Sequence, residues 1–500
     1  MGERFNQLKD YLAELQNVNT AAGLLGWDQQ VMMPPKGAQA RAAQLGTLSR
    51  ISHEMQTSDT LARLLDDVGA EIDGAAYDSD EASLLRVAEY DFEQATKIPT
   101  HLVVKLAQET ILAHEVWAKA RANNDYKSFQ PTLEKIMDLT RQSAEALGYK
   151  DNPYDALINQ YERGMTFAQI KEIFDGHRPQ LVDLVAQISK NTDKVDDSPV
   201  HQDFDIAKQR EFATWVIEKF GFDLEGGRID EAVHPFANST SINDVRITTR
   251  YNDDFLNPAM FGMMHEAGHG MYEAGVSQNL EGNILASGTS LGVHESQSRM
   301  WENLVGRSRG FWTWALPKLQ ETFPQLKGVT VDQFYGAVNK VQPSFIRVEA
   351  DEATYNLHIM LRFELENDML NGKINFSNLP NIWNERFESY LGIVPPTDTV
   401  GVLQDVHWSA GLIGYFATYA LGNLLSVQYY NKAVQDHPTI PDEIASGEFS
   451  TLLGWLRENI HQHGRKFTSA ELTKRVTGEQ INSQPYITYL QEKFGGIYGL

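Results

Sequence analysis

The stretch FGMMHEAGHGMYEAG, residues 261–275, sets two histidines four positions apart with a glutamate directly after the first. On an α-helix, His265 and His269 point the same way one turn apart, so their ring nitrogens can converge on one divalent cation. Glu266 lies about 100° further round and can reach a water activated by that cation, the arrangement of a metal-dependent hydrolase. The competing reading is a buried helix whose histidines are hydrogen bonded in the core. Phe261, Met263, Met264 and Met271 make the helix apolar nearly all round. Two buried imidazoles beside a carboxylate then need partners, and a cation supplies them.

A catalytic cation takes a third protein ligand and keeps an open position. The pattern H-E-x-x-H-x-x-G-x-x-H fails, because Tyr272 and Gly275 stand where its glycine and third histidine would be. A later glutamate is the other solution. GVHESQSRMWEN offers Glu295, 26 residues after His269, far enough for the chain to turn and run a second helix beside the first. Glu295 is the preferred third ligand. His294 precedes it, faces another way on a helix, and is read as a cleft residue.

The elements that must carry these groups are mostly helical. Asn257 reads as the N-cap of the motif helix, Pro258 as its first residue and Gly275 as its terminator. Apolar residues at helical spacing, broken by VMMPPKG, GYKDNPYD, IVPPTDTVG and KFGG, extend this pattern through most of the chain. Near the amino terminus, Phe5, Leu8, Leu12 and Leu15 share one helical face. DVRITTRY alternates, which makes a short strand just before the motif and a minor β element in a mainly α protein. The acidic stretch NTDKVDDSPVHQDFD is the best loop between two halves. The organisation expected is one domain over 1–500, with a helical half at 1–195 and the half carrying the metal site at 196–500.

Composition narrows the chemistry. The 500 residues include no cysteine, which removes disulfides, thiolate metal sites and cysteine nucleophiles; a metal must be held by His, Asp or Glu. A formal charge of −24 repels phosphates and anionic lipids, so nucleic-acid and membrane-surface partners are not expected. The uncharged run AGLIGYFATYALGNLLSV, residues 410–427, has three glycines and an asparagine and reads as a helix buried in protein rather than a membrane span. No signal peptide is read, and the compartment expected is the cytoplasm.

Six blocks stand together in order: HPF at 234–236, DVRIT at 244–248, HEAGH at 265–269, HES at 294–296, IRVEAD at 346–351 and GVLQDVHW at 401–408. With WDQQVMMPPKGAQARAAQL, YDALINQYERGMT and YLQEKFGGIY towards the two ends, the whole chain resembles the thermostable metallocarboxypeptidases of the carboxypeptidase Taq family. That resemblance implies a large, nearly all-α body with a deep central groove, similar to neurolysin-like and angiotensin-converting-enzyme-like peptidases. It also implies a homodimer, a zinc or cobalt ion, and removal of single residues from peptide C-termini with broad specificity. Carried over by position, His265, His269 and Glu295 are the metal ligands and Glu266 the base.

Supporting roles are expected elsewhere. His407, Tyr415 and Tyr419 lie on and before a glycine-rich helix, and similarity to related groove-shaped peptidases implies that one tyrosine with a histidine stabilises the oxyanion. An exopeptidase must hold the substrate's terminal carboxylate, for which a bidentate arginine is the best-matched side chain. The candidates are Arg347, Arg246, Arg250 and Arg299, with His234 lining the same pocket. Arg347 has a competing role in an ion pair with Glu349 or Asp351. Asp351, Asp405 or Glu302 would receive the second N–H of a metal histidine. Two other functions stay open from the residues alone: an endo-acting oligopeptidase on the same metal site, and a peptide-binding protein that retains metal without catalysis.

Overall fold

The computed structural model describes residues 2–500 and is mainly helical, with one three-stranded sheet among the described residues. Two compact units are built from interleaved segments. One takes Met1–Thr96, Asp197–Val338 and Tyr429–Glu479; the other takes Lys97–Asp196, Asn339–Gln428 and Gln480–Leu500. A boundary at residues 196 and 197 falls inside the acidic stretch, where the chain makes two short 3-10 turns, Thr192–Lys194 and Ser198–Val200.

The first unit begins with the helix Glu3–Val31, and Phe5, Leu8, Leu12 and Leu15 are its buried stripe, as their spacing predicts. Its sheet has the order β1 (Gly227–Glu231), β3 (Asp244–Thr249), β2 (Ala237–Ser241), with β3 parallel to β1 and antiparallel to β2. Only β3 shows apolar alternation in the sequence, and its Val245 and Ile247 are buried. The edge strands read GRIDE and ANSTS, polar and without a fully buried residue, so no period-2 signal announced them.

The motif helix spans Asn257–Ala274 and is pressed between two neighbours through glycines. A Cβ on Gly270 would meet Phe222 at 2.8 Å, Val245 at 3.1 Å and Ile247 at 3.3 Å, so this face takes the sheet. A Cβ on Gly268 would lie 2.6 Å from Ser298 Cα and 2.7 Å from the Gln297 carbonyl oxygen. Two positions apart on a helix is about 200°, so these glycines bring the sheet and a second helix onto opposite sides of the same backbone. The helix begins one residue earlier than expected. Leu256 is its N-cap without a side-chain bond, Asn257 and Pro258 fill the first turn, and Gly275 ends it with φ −86°, outside the left-handed region.

The second unit is organised around Tyr355–Leu370, where 14 of 16 residues are buried, so the helix is covered on every side. Its buried ionisable side chains are hydrogen bonded: Arg362 Nε donates to Asp405 at 2.6 Å, and Glu366 accepts from Tyr154 Oη, Trp408 Nε1 and the Gly414 amide at 2.5, 2.9 and 2.9 Å. The run 410–427 is only partly helical. Gly411 and Gly414 take φ of +70° and +93°, conformations that L side chains rarely adopt, and the helix starts at Ala417 and runs to Asp436. Among the described residues no helix is long and apolar enough to cross a membrane.

Candidate metal centre

His265 and His269 face the helix Leu291–Arg299, which Ser290 caps by accepting from the Val293 amide at 3.1 Å. The close approach at Gly268 sets Glu295 opposite both imidazoles. His265 Nε2 and His269 Nε2 each lie 3.5 Å from Glu295 Oε2, and the three groups form a cluster able to hold a metal ion. Ligands bound at about 2.0–2.2 Å in a tetrahedron sit about 3.3–3.6 Å apart, so the spacing suits a cation better than direct hydrogen bonds. Two imidazoles and one carboxylate are a zinc-type donor set. Glu266 is buried beside them, its Oε2 without a hydrogen-bond partner. Such an oxygen is costly in a core unless something else engages it. These residues fit a catalytic divalent metal.

Charge around the site is arranged for this. Burial opposes ionisation of Glu295, but the Arg299 guanidinium and the two imidazoles outweigh it and hold the carboxyl well below its usual range. Arg299 Nε donates to Glu295 Oε1 at 2.7 Å, which leaves Oε2 for the histidines. Beyond Arg299 the helix widens into a π-helical turn, Met300–Gly306, which carries Glu302. Glu302 Oε2 sits 2.9 Å from His265 Nδ1 and accepts from Arg299 Nη1 at 3.2 Å. Of the three acids considered for the outer hydrogen bond of a metal histidine, Glu302 makes it. Asp351 instead caps its own segment by accepting backbone amides of Gln342, Ala353 and Thr354. Arg299 is thus engaged with both Glu295 and Glu302.

His269 is backed differently. Its Nδ1 lies 2.6 Å from His294 Nδ1, and His294 Nε2 lies 2.6 Å from Glu273 Oε1. His294, expected to line a cleft, thus stands behind a metal-site histidine. Glu273 was missed altogether. Its signal was present: it lies four residues after His269 and eight after His265, on the same face of one helix.

The other expected residues of this unit do not join the cluster. Arg246 lies on β3, donates to Asp244 through Nε and Nη2 at 2.8 and 2.9 Å, and stacks over Trp27 with its Cζ 4.7 Å from the ring centre. Arg250 follows β3 and is exposed, as is His234 in the loop between β1 and β2.

The second unit gathers a separate set. Arg347 is buried and donates to Asp405 Oδ1 through Nε and Nη2 at 3.0 and 2.8 Å and to Tyr355 Oη at 3.0 Å. Its ion pair is therefore with Asp405 and not with the exposed Glu349 or the amide-bound Asp351. His407 Nε2 lies 3.4 Å from Tyr419 Oη, and the Tyr415 and Tyr419 rings are 5.3 Å apart. Burial lowers the His407 pKa to about 4 despite Asp405 nearby, so the imidazole is neutral at pH 7 with one N–H to give.

Known proteins bear on this geometry. A family model described as carboxypeptidase Taq (M32) metallopeptidase matches residues 7–494. Thermostable carboxypeptidase 1 of Thermus thermophilus is 40% identical over 504 residues, covering 99% of each chain. Carboxypeptidase 1 of Bacillus subtilis is 36% identical over 490 residues, covering 98% of this chain and 97% of its own. The solved M32 carboxypeptidase of Deinococcus radiodurans matches with a TM-score of 0.97 at 40% identity over the whole of both chains. The Pyrococcus furiosus carboxypeptidase matches at 0.96 with 35% identity over 99% of each chain.

Proposed function

The chain belongs to the carboxypeptidase Taq (M32) metallopeptidases and is a metal-dependent carboxypeptidase, and from that premise we propose that it uses zinc at His265, His269 and Glu295, with Glu266 as general base, to release C-terminal residues from peptides with broad specificity. The observation that carries this reading is the buried, unpartnered Glu266 oxygen beside three converging metal donors. The family match spans residues 7–494, which supports treating 1–500 as one catalytic domain. The family resemblance supports a homodimer acting on peptides, and we place it in the cytoplasm.

A bound zinc ion, or cobalt in the same donor set, supplies Lewis acidity to the attacking water and the scissile carbonyl. In the metal-free protein burial pushes the Glu266 carboxyl up to about 7, and a group that titrates near neutral pH both takes and returns a proton well there. Glu266 Oε2 accepts the proton of the attacking water as the new C–O bond forms, then delivers it to the amine nitrogen as the C–N bond breaks. We assign the oxyanion donors to neutral His407 with Tyr415 or Tyr419, because these hydroxyls and the imidazole lie together.

Metal dependence is the direct test. Dialysis against a strong chelator should abolish release of C-terminal residues from a peptide mixture read by mass spectrometry, and Zn²⁺ or Co²⁺ should restore it. Full activity after verified metal removal would overturn the proposal.

For the terminal carboxylate we assign Arg347, whose fork is held rigid by Asp405 and Tyr355. Arg347→Ala should lower kcat/KM about tenfold to a hundredfold on a free-acid peptide and much less on its amide. The comparison of two substrates across two enzymes removes general damage. An equal loss on both, or a drop in Tm large enough to explain it, would leave Arg347 as Asp405's structural partner and move the role to Arg246, Arg250 or His234.

A further inference from the structure

Each metal-site histidine has an acid behind it, but only one touches its acid directly. His265 Nδ1 meets Glu302 at 2.9 Å, whereas an imidazole stands between His269 and Glu273. We propose that His294 and Glu273 are positioning residues for His269, a relay in which the Glu273 carboxylate fixes the proton on His294 Nε2 and His294 Nδ1 then fixes the proton on His269 Nδ1. The consequence is a bare His269 Nε2 aimed at the cation. This rests on the reading that His265, His269 and Glu295 hold the metal.

The assignment follows from counting donors and acceptors along the chain. Glu273 is buried and collects only donors: the Gly288 amide at 3.0 Å and Ser287 Oγ at 3.3 Å on Oε1, and Ser239 Oγ at 3.2 Å on Oε2. A group receiving that many N–H and O–H bonds is an ionised acceptor, so the 2.6 Å contact to His294 needs a proton on Nε2. With Nε2 turned to Glu273, Nδ1 is the His294 atom left to meet His269. The other 2.6 Å contact joins two Nδ1 atoms, and one proton must lie between them. It belongs to His269, because its Nε2, 3.5 Å from Glu295 Oε2, must be unprotonated to bind metal.

Packing holds the middle ring in place. A Cβ on Gly288 would lie 2.6 Å from His294 Cδ2 and 2.7 Å from Tyr272 Cε1, so the loop backbone closes over both rings. His294 also precedes Glu295 in the chain, so one helical turn supplies a metal-site carboxylate and the relay that orients the opposing histidine. Glu273 sits one turn beyond His269 on the motif helix, and His294 bridges the two.

The test compares the intact parent chain with His294→Leu, His294→Gln and Glu273→Gln. Zinc dissociation constants come from competition with a chromogenic chelator, and Tm values of the metal-free proteins from thermal unfolding. Glutamine at 294 keeps one acceptor and one donor; leucine keeps neither. The expected result is zinc binding weaker by about tenfold to a hundredfold in His294→Leu, a smaller loss in Glu273→Gln, and substantial recovery in His294→Gln. Metal-free Tm values of the two glutamine variants should stay close to the parent's. Parent-like affinity in both His294→Leu and Glu273→Gln would overturn the relay while leaving the metal centre standing. Equal affinities in folded His294→Gln and His294→Leu would also overturn it. If His294→Leu does not fold, Glu273→Gln decides, with parent-like affinity overturning the relay. A parent protein that binds no zinc would instead sink the metal-centre reading itself.

Discussion

Glu266→Gln should keep its metal and lose turnover by about a hundredfold to ten-thousandfold, the range of general-base catalysis. The amide matches the carboxylate in volume but cannot take the proton of the attacking water. kcat should carry the loss with KM little changed, since the proton moves only in the transition state. Stability gives an independent check. Burial raises the Glu266 carboxyl from 4.5 to about 7, so the native state holds this proton more tightly than the unfolded chain does. The cost of its charge is absent below the unfolded value, grows as pH rises from 4.5 to about 7, and is present in full above that. Glutamine removes that cost, so the metal-free variant should melt no lower than the parent at pH 8. Zinc content by mass spectrometry and thermal unfolding test both halves. A variant that folds but has lost its zinc would make Glu266 a ligand rather than the base.

Gly268→Ala should be the most damaging small substitution in the motif helix. Alanine for glycine inside a helix ordinarily stabilises by about 1 kcal/mol. Here the added methyl would lie 2.6 Å from Ser298 Cα and 2.7 Å from the Gln297 carbonyl, and backbone cannot swing aside as a side chain can. Overpacking costs of about 1–3 kcal/mol or more then outweigh the propensity gain. Relief must come by separating the two helices, which draws Glu295 away from His265 and His269. The expected result is a lower Tm together with zinc affinity reduced by at least about tenfold. Gly262→Ala in the same helix is the control. Its methyl would meet only Thr249 Oγ1 at 3.7 Å, an ordinary contact, so Tm should hold or rise. Gly270→Ala should fall between them, because Phe222, Val245 and Ile247 oppose it with side chains. Unchanged Tm and zinc affinity in Gly268→Ala would show that the close approach does not set the site.

The sequence alone determined what depends on local geometry. Four-residue spacing places His265 and His269 on one helix face whatever surrounds them, and Glu266 follows from the same rotation. The same periodicity marked Phe5, Leu8, Leu12 and Leu15 as the buried stripe of the first helix and made the protein mainly α. Alternation found β3 and missed β1 and β2, whose polar residues carry no period because neither strand has a fully buried face. Helix boundaries moved by a residue at Asn257, and by seven residues at the glycine-rich run, where left-handed glycines hold the chain in turns until Ala417.

Only tertiary structure decided which of several equivalent groups meet. Arg347 had acids two and four residues away, yet its partner is Asp405, 58 residues on. Local spacing could not choose, because a buried guanidinium pairs with whichever carboxylate the packing brings to its plane. Glu302, Asp351 and Asp405 were indistinguishable as supports for a metal-site histidine until a π-helical turn carried Glu302 to His265. His294 and Glu273 came together behind His269 only because Gly268 lets two helices close to backbone contact. Spacing along one helix is encoded in residues a turn apart; the partners that tune it come from segments whose approach is set by the packing of the whole unit.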